Sequence, residues 1–159
     1  MSDAVIVAAA KAVHDAIQAK TNWGIEFDLE RSYFDWELEL KDATPLRVDV
    51  IPLKHETSDK ASRGRLRYVV SINIAVRKRF SEAEQTEGGR IEKEQVDTLV
   101  KFVEDIHEFF ASNERPSDTD DMAWNESKIE NAYSAKELRE WHQFIGLVRI
   151  NLTVMKANP

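Results

Sequence analysis

His55, Glu56, Thr57 and Asp59 bring an imidazole, two carboxylates and a hydroxyl into one short stretch, the residue types of acid–base or nucleophilic chemistry. That chemistry requires the groups to be held to within about 0.5 Å of a productive arrangement. The stretch lies in the polar, charged segment Lys54 to Gly64 between two strand-like runs, a poor place to hold groups that tightly. His14, His107 and His142 are far from it and from one another, and none stands in a histidine-glutamate-x-x-histidine arrangement. They are expected to be surface or boundary residues. Asp35, Glu37 and Glu39 could act as paired carboxylates, but alternate positions of a strand give the same row on any solvated sheet face or acidic assembly wall. Gly88 and Gly89 precede a helix, yet no strand leads into them and no lysine follows at P-loop spacing. The chain has no cysteine, which excludes disulfides, thiolate metal sites and thiol catalysis. A non-enzymatic chain with no cofactor and no metal is expected.

Charge narrows the partners. There are 29 acidic against 22 basic residues in 159, for a formal net charge of -7. Broad neutralisation of nucleic-acid phosphate depends on clustered Lys and Arg, so nonspecific DNA binding is not expected. The positive concentrations are Arg63, Arg65 and Arg67 at one end of a long strand and Arg77, Lys78 and Arg79 at the other. Two readings stay open: basic ends that shield an exposed strand edge from aggregation, or arginines that pair with acids on a neighbouring subunit and set register in a ring.

The elements that must position these residues follow from periodicity. Leu66, Tyr68, Val70, Ile72, Ile74 and Val76 alternate with Arg67, Val69, Ser71, Asn73, Ala75 and Arg77, which predicts a long strand with one buried face. Leu46, Val48 and Val50 predict its partner over Pro45 to Leu53, so the two form a β-hairpin with a long charged tip, read as a contact arm. Ser2 as N-cap, with Ile6, Ala9, Ala10, Val13 and Ile17 on one face, predicts an amphipathic first helix, neither a signal peptide nor a membrane span. Trp23 to Leu29 and Phe34 to Leu40 read as strands, and Ser81 to Arg90 as a solvent loop. Lys93 to Ser112 is the clearest helix, through Val96, Leu99, Val100, Val103, Ile106 and Phe110. Asn113 to Asp121 reads as a loop. Ser134 and Glu137 form a capping box for a short helix through Trp141, and Phe144 to Met155 predicts a closing strand. Trp36 and Trp141 are expected in the core, while Trp124 either tucks back onto the domain or anchors a partner. The fold class expected is α+β: one domain over residues 1–159, with a mainly antiparallel sheet and helices packed on one face.

The alanine-rich first helix, the strand Arg47-Val48-Asp49-Val50-Ile51-Pro52, a charged loop, Arg63 and the strand Tyr68 to Val76 resemble tail terminator, or tail completion, proteins of long-tailed bacteriophages. The helix Val96 to Phe110, the run Tyr133 to Phe144 and the strand Val148 to Val154 extend the resemblance over nearly the whole chain. It implies a non-enzymatic virion protein, assembled in the host cytoplasm, that forms a homo-hexameric ring on the head-proximal end of the tail tube. That ring would stop tube polymerisation, bind the head-closure or neck protein, and let DNA pass its lumen without sequence-specific binding or membrane contact. On this resemblance Lys54, Glu56, Asp59, Lys60 and Arg63 are candidate tube or neck contacts, and Arg65, Arg67, Arg77, Lys78 and Arg79 candidate inter-subunit contacts. Another neck component, such as a head-closure or connector protein, or a small ligand-binding domain, are the alternatives.

Overall fold

The computed structural model describes residues 3–33, 44–58, 65–86, 88, 90–112 and 121–157. In chain order the elements are helix α1 (Val5–Ala19), strands β1 (Asp28–Arg31), β2 (Thr44–Ser58) and β3 (Arg65–Arg79), and a 3-10 turn (Glu82–Glu84). The minimal ladder β4 (Gln85–Thr86) and β5 (Arg90–Ile91) follows, then α2 (Lys93–Ser112), β6 (Met122–Asn131), α3 (Ala135–Trp141) and β7 (Gln143–Ala157). The main sheet has the order β1-β2-β3-β7-β6; only the β1–β2 pair is parallel. The architecture is α+β, with helices over one face of a mainly antiparallel sheet, as the periodicities imply.

Three strands of 15 residues each, β2, β3 and β7, form its spine. At about 3.3 Å per residue each runs about 50 Å. β3 lies in the middle and is paired along its whole length, Arg65 opposite Ala157 and Arg79 opposite Gln143. One set of alternate residues, Val48 and Val50, Val70 to Val76, and Val148 to Val154, joins a single core with the buried faces of α1 and α2. The buried residues of α1 are Val5, Ala9, Ala10, Val13 and Ile17; those of α2 are Leu99, Phe102, Val103, Ile106 and Phe110. α1 packs its alanines over β2 and β3, while α2 packs its phenylalanines over β6 and β7. Trp23 closes the joint between the two helices: its indole donates to the carbonyl of Ile17 at 3.0 Å and its ring meets Phe102 edge-on at 5.9 Å.

Several expectations change. Trp23 to Phe27 is not strand; β1 covers only Asp28–Arg31, and the Trp23 side chain is recruited to the helices instead. Met122–Asn131, part of which reads as a polar loop, is strand β6, and Trp124 tucks back onto Phe110 with ring centroids 5.2 Å apart. Among the described residues the buried tryptophans are thus Trp23 and Trp124, whereas Trp141 is only half-buried. Ser81 to Arg90 holds the 3-10 turn and the β4–β5 ladder rather than a bare loop. The first helix has Ala4 as N-cap, without a side-chain cap, and Asp3 bonds Lys11 at 2.8 Å. Ser2, Trp36 and the expected strand Phe34 to Leu40 lie outside the described residues, as do residues 113–120.

At Gly146 helix α2 lies close against the sheet. A Cβ there would sit 2.5 Å from Val103 Cγ2, 3.2 Å from Phe144 Cε1 and 3.3 Å from the Ala132 carbonyl. Overpacking of this kind typically costs about 1–3 kcal/mol. Gly146→Ala should lower unfolding stability by about 2 kcal/mol in urea titrations, and adding Val103→Ala should recover less than its own cavity cost removes. A neutral Gly146→Ala would show that α2 does not rest on β7 at this point.

Candidate functional site

The residues that face away from the helices carry the charge. On that face Asp49 of β2 is 1% exposed and accepts three hydrogen bonds. Arg47, two residues earlier on the same strand, grips both carboxylate oxygens at 3.0 and 2.9 Å, and Arg77 of β3 donates to Oδ2 at 2.9 Å. Arg47 also reaches Glu30 of β1 at 3.3 Å. Hydrogen bonding by Asp49, opposed by partial burial and reinforced by Asp49, Glu30 and Asp28 charges, holds the Arg47 guanidinium's pKa above its ordinary value. Beyond a small apolar patch of Ile51, Ala75 and Leu147, the polar links resume. Ser71 donates to Asn151 at 2.7 Å and Asn151 to Glu126 at 3.1 Å; Arg149 bridges Asn73 at 3.2 Å and Glu130 at 3.2 Å. The face is therefore a cross-strand polar lattice running from β1 to β6.

The expected inter-subunit contacts fall unevenly on this frame. Arg77 is buried and bonded to Asp49, so an acid partner for it stands on its own chain. Lys78 is likewise engaged internally, 2.8 Å from Glu84. Arg67 and Arg79 are half-buried. Because β3 is central, the reading of these basic residues as guards of an exposed edge does not hold; among the described strands the edges of the sheet are β1 and β6. Arg65 stands at the start of β3, opposite Ala157.

The expected tube or neck contacts Lys54 and Glu56 are not in a loop. They belong to β2, whose ladder with β3 continues to Ser58 opposite Arg67, after a register shift between Pro52 and Lys54. Both are exposed, and Lys54 Nζ lies 3.4 Å from Glu56 Oε1. Asp59, Lys60 and Arg63 lie outside the described residues. His55 is also exposed, its ring 6.1 Å from that of Tyr68, so His55, Glu56 and Thr57 of the suspected acid–base cluster are strand positions with alternating directions.

Concavities among the described residues include two that bear on the site. One of about 670 Å³ lies beneath the end of α1, bounded by Ile17, Trp23, Phe27 and Leu46 with Glu26 and Asp28 at its side. Another, of about 520 Å³, lies between α3, the β4–β5 turn and the start of α2. Among the described residues no group of three His, Asp or Glu side chains is placed to hold a metal ion, and no helix is long and apolar enough to cross a membrane. Sequence reasoning missed Asp49 as the shared partner of Arg47 and Arg77, and missed the second concavity altogether. No family model matches the chain, and a search of curated proteins returns no match.

Removing one partner of a buried ion pair leaves the other uncompensated, at about 3–5 kcal/mol. Asp49→Asn should therefore destabilise the chain by about 3 kcal/mol in urea unfolding, and Arg47→Gln, at a position one-third exposed, by about 1 kcal/mol; a neutral Asp49→Asn would refute the assignment.

Glu84 supplies a pH test. Burial raises its pKa, but hydrogen bonds from Lys78 and Ser81 together with the Lys78 charge outweigh it and leave the carboxyl below its ordinary value. A lowered folded-state pKa means the stabilisation is present above the unfolded value, about 4.3, and is lost as pH falls through the folded value. Glu84→Gln should cost about 1 kcal/mol at neutral pH, with the difference from the parent closing below about pH 4. A gap independent of pH would contradict this.

Proposed function

We propose that the chain is a tail terminator subunit, which assembles as a ring on the head-proximal end of a phage tail tube, stops its growth and offers the neck its docking surface. The observation that carries this reading is the run Leu53 to Thr57, consecutive exposed residues within a strand whose ladder with β3 resumes at Lys54 after a register shift. Alternate strand residues face opposite sides, so consecutive exposure means that both faces of β2 are bare there. β1 flanks β2 only from Arg47 to Val50, and β6 reaches β7 only as far as Val154. Beyond the ends of β1 and β6 the distal parts of β2 and β3, with β7 still beside β3 as far as Ala157, form a charged arm suited to inserting into a neighbouring subunit or a tube end.

A terminator works by matching the terminal interface of the tube on one side while presenting no repeat of that interface on the other. The arm supplies a directional contact, and Lys54 and Glu56 supply its charge pattern. An acidic chain suits a lumen through which DNA passes without being gripped, since like charge repels phosphate. The sequence resemblance and the arm support this reading independently: one rests on element order, the other on exposure.

The test is tube-length control. Added to a polymerising candidate tail-tube protein, the purified chain should shorten the tube-length distribution and bind at one end. The charge-swapped variant Lys54→Glu with Glu56→Lys preserves the intrachain pair, so its melting temperature should be unchanged while capping weakens by about tenfold. Tubes of unaltered length with the parent chain would overturn the proposal; equal capping by the swapped variant would remove the arm from it.

A further inference from the structure

The concavity of about 520 Å³ has a composition at odds with the acidic chain that holds it. Its floor is apolar, made by Ile91 of β5, Val96 of α2 and Leu138 of α3, with the ring of Tyr133, itself 54% exposed, at the side. Its lining among the described residues carries the guanidinium groups of Arg90 and Arg139 and the imidazole of His142, with no carboxylate. Arg90 and Arg139 are exposed, which keeps the guanidinium groups available to a partner. We propose that this groove is a binding site for an acidic peptide segment carrying a leucine- or phenylalanine-type anchor. The anchor would fill the Ile91, Val96 and Leu138 floor, and the flanking carboxylates would meet the two guanidinium groups.

The backbone around the groove is set up to be rigid. His142 ends α3 in the left-handed region at φ 51, which disfavours a residue with a side chain. It is held there from both sides: its N–H donates to the carbonyl of Glu137, and its own carbonyl accepts from Phe80 N–H at 2.8 Å. A fixed wall lowers the ordering cost of binding. A volume of this size falls within the about 300–1,000 Å³ typical of ligand sites, and apolar floor plus charged rim is the arrangement by which grooves read amphipathic segments. Arginine is the better rim residue because its planar fork takes a carboxylate with two parallel hydrogen bonds. Nucleic acid is the poorer occupant, because stacking needs several aromatic faces and the described lining offers Tyr133 alone. The proposal stands whether or not the chain forms a ring, since every lining residue belongs to one subunit.

The experiment uses an immobilised array of short peptides in acidic, neutral and basic backgrounds, each with leucine, phenylalanine or alanine at the centre, probed with the full chain. Retention is expected on acidic backgrounds with a leucine or phenylalanine centre, falling at least about tenfold with alanine. Arg90→Glu with Arg139→Glu, both exposed positions and so compatible with folding, should abolish that retention and transfer it to the basic backgrounds. Circular dichroism melting of the variant confirms that the fold is kept. Equal retention on acidic and basic backgrounds, or undiminished acidic binding by the variant, would overturn the proposal. So would loss of self-association in the variant with no peptide retained by the parent, because the occupant would then be a second copy of the chain.

Discussion

The buried carboxylate of Asp49 is the interaction on which the sheet depends. A carboxylate removed from water is tolerated only when its lone pairs are taken up by cations and donors, and here Arg47 from its own strand and Arg77 from the neighbouring one provide them. The contact is register-specific. Asp49 stands opposite Ala75 and Arg47 opposite Arg77, so the Arg77 bond to Asp49 runs diagonally across the ladder. A slip by one residue would turn Asp49 into the apolar core and send Val48 and Val50 to the polar face. The helices press on one side of the sheet, but it is the opposite side that determines which side they must press on.

That division explains how one sheet can serve both as core and as surface. Its inner face is closed by α1 and α2, and on its outer face Arg47, Asp49 and Arg77, Ser71 and Asn151, and Asn73 and Arg149 bond one another across the strands. Such a face can be wet or can meet a partner without repacking. The long strands β2, β3 and β7 carry this two-sided character towards the distal end, where β1 and β6 fall away and the arm begins.

The fold was legible wherever one period ran without interruption. β3 alternates over its whole length, α2 keeps its three- and four-residue steps from Val96 to Phe110, and Ser134 does accept from the Glu137 N–H to start α3. β6 was not legible because register shifts between Trp124 and Glu126 and between Ile129 and Asn131 break its period twice. Lys54 and Glu56 were found as exposed charges but assigned to a loop, since the shift after Pro52 disrupts the alternation that would have extended the strand. The partner of Arg77 depends on the pairing of β2 with β3, which an arginine cluster read along one strand does not contain. The groove is assembled from Arg90 of β5, Val96 of α2, and Leu138 and the C-cap His142 of α3, and no local signal joins the three elements.

The claim that most needs direct measurement is that this chain closes on itself as a ring. Its mass in solution, by light scattering of the purified protein alone and then on the ends of tubes formed by a candidate tail-tube protein, tests it with no assumption about which residues form the contacts. The account predicts a six-subunit species in one of the two conditions, because a ring can close on its own or only against its partner. A chain that stays monomeric in both and does not associate with tubes would contradict it.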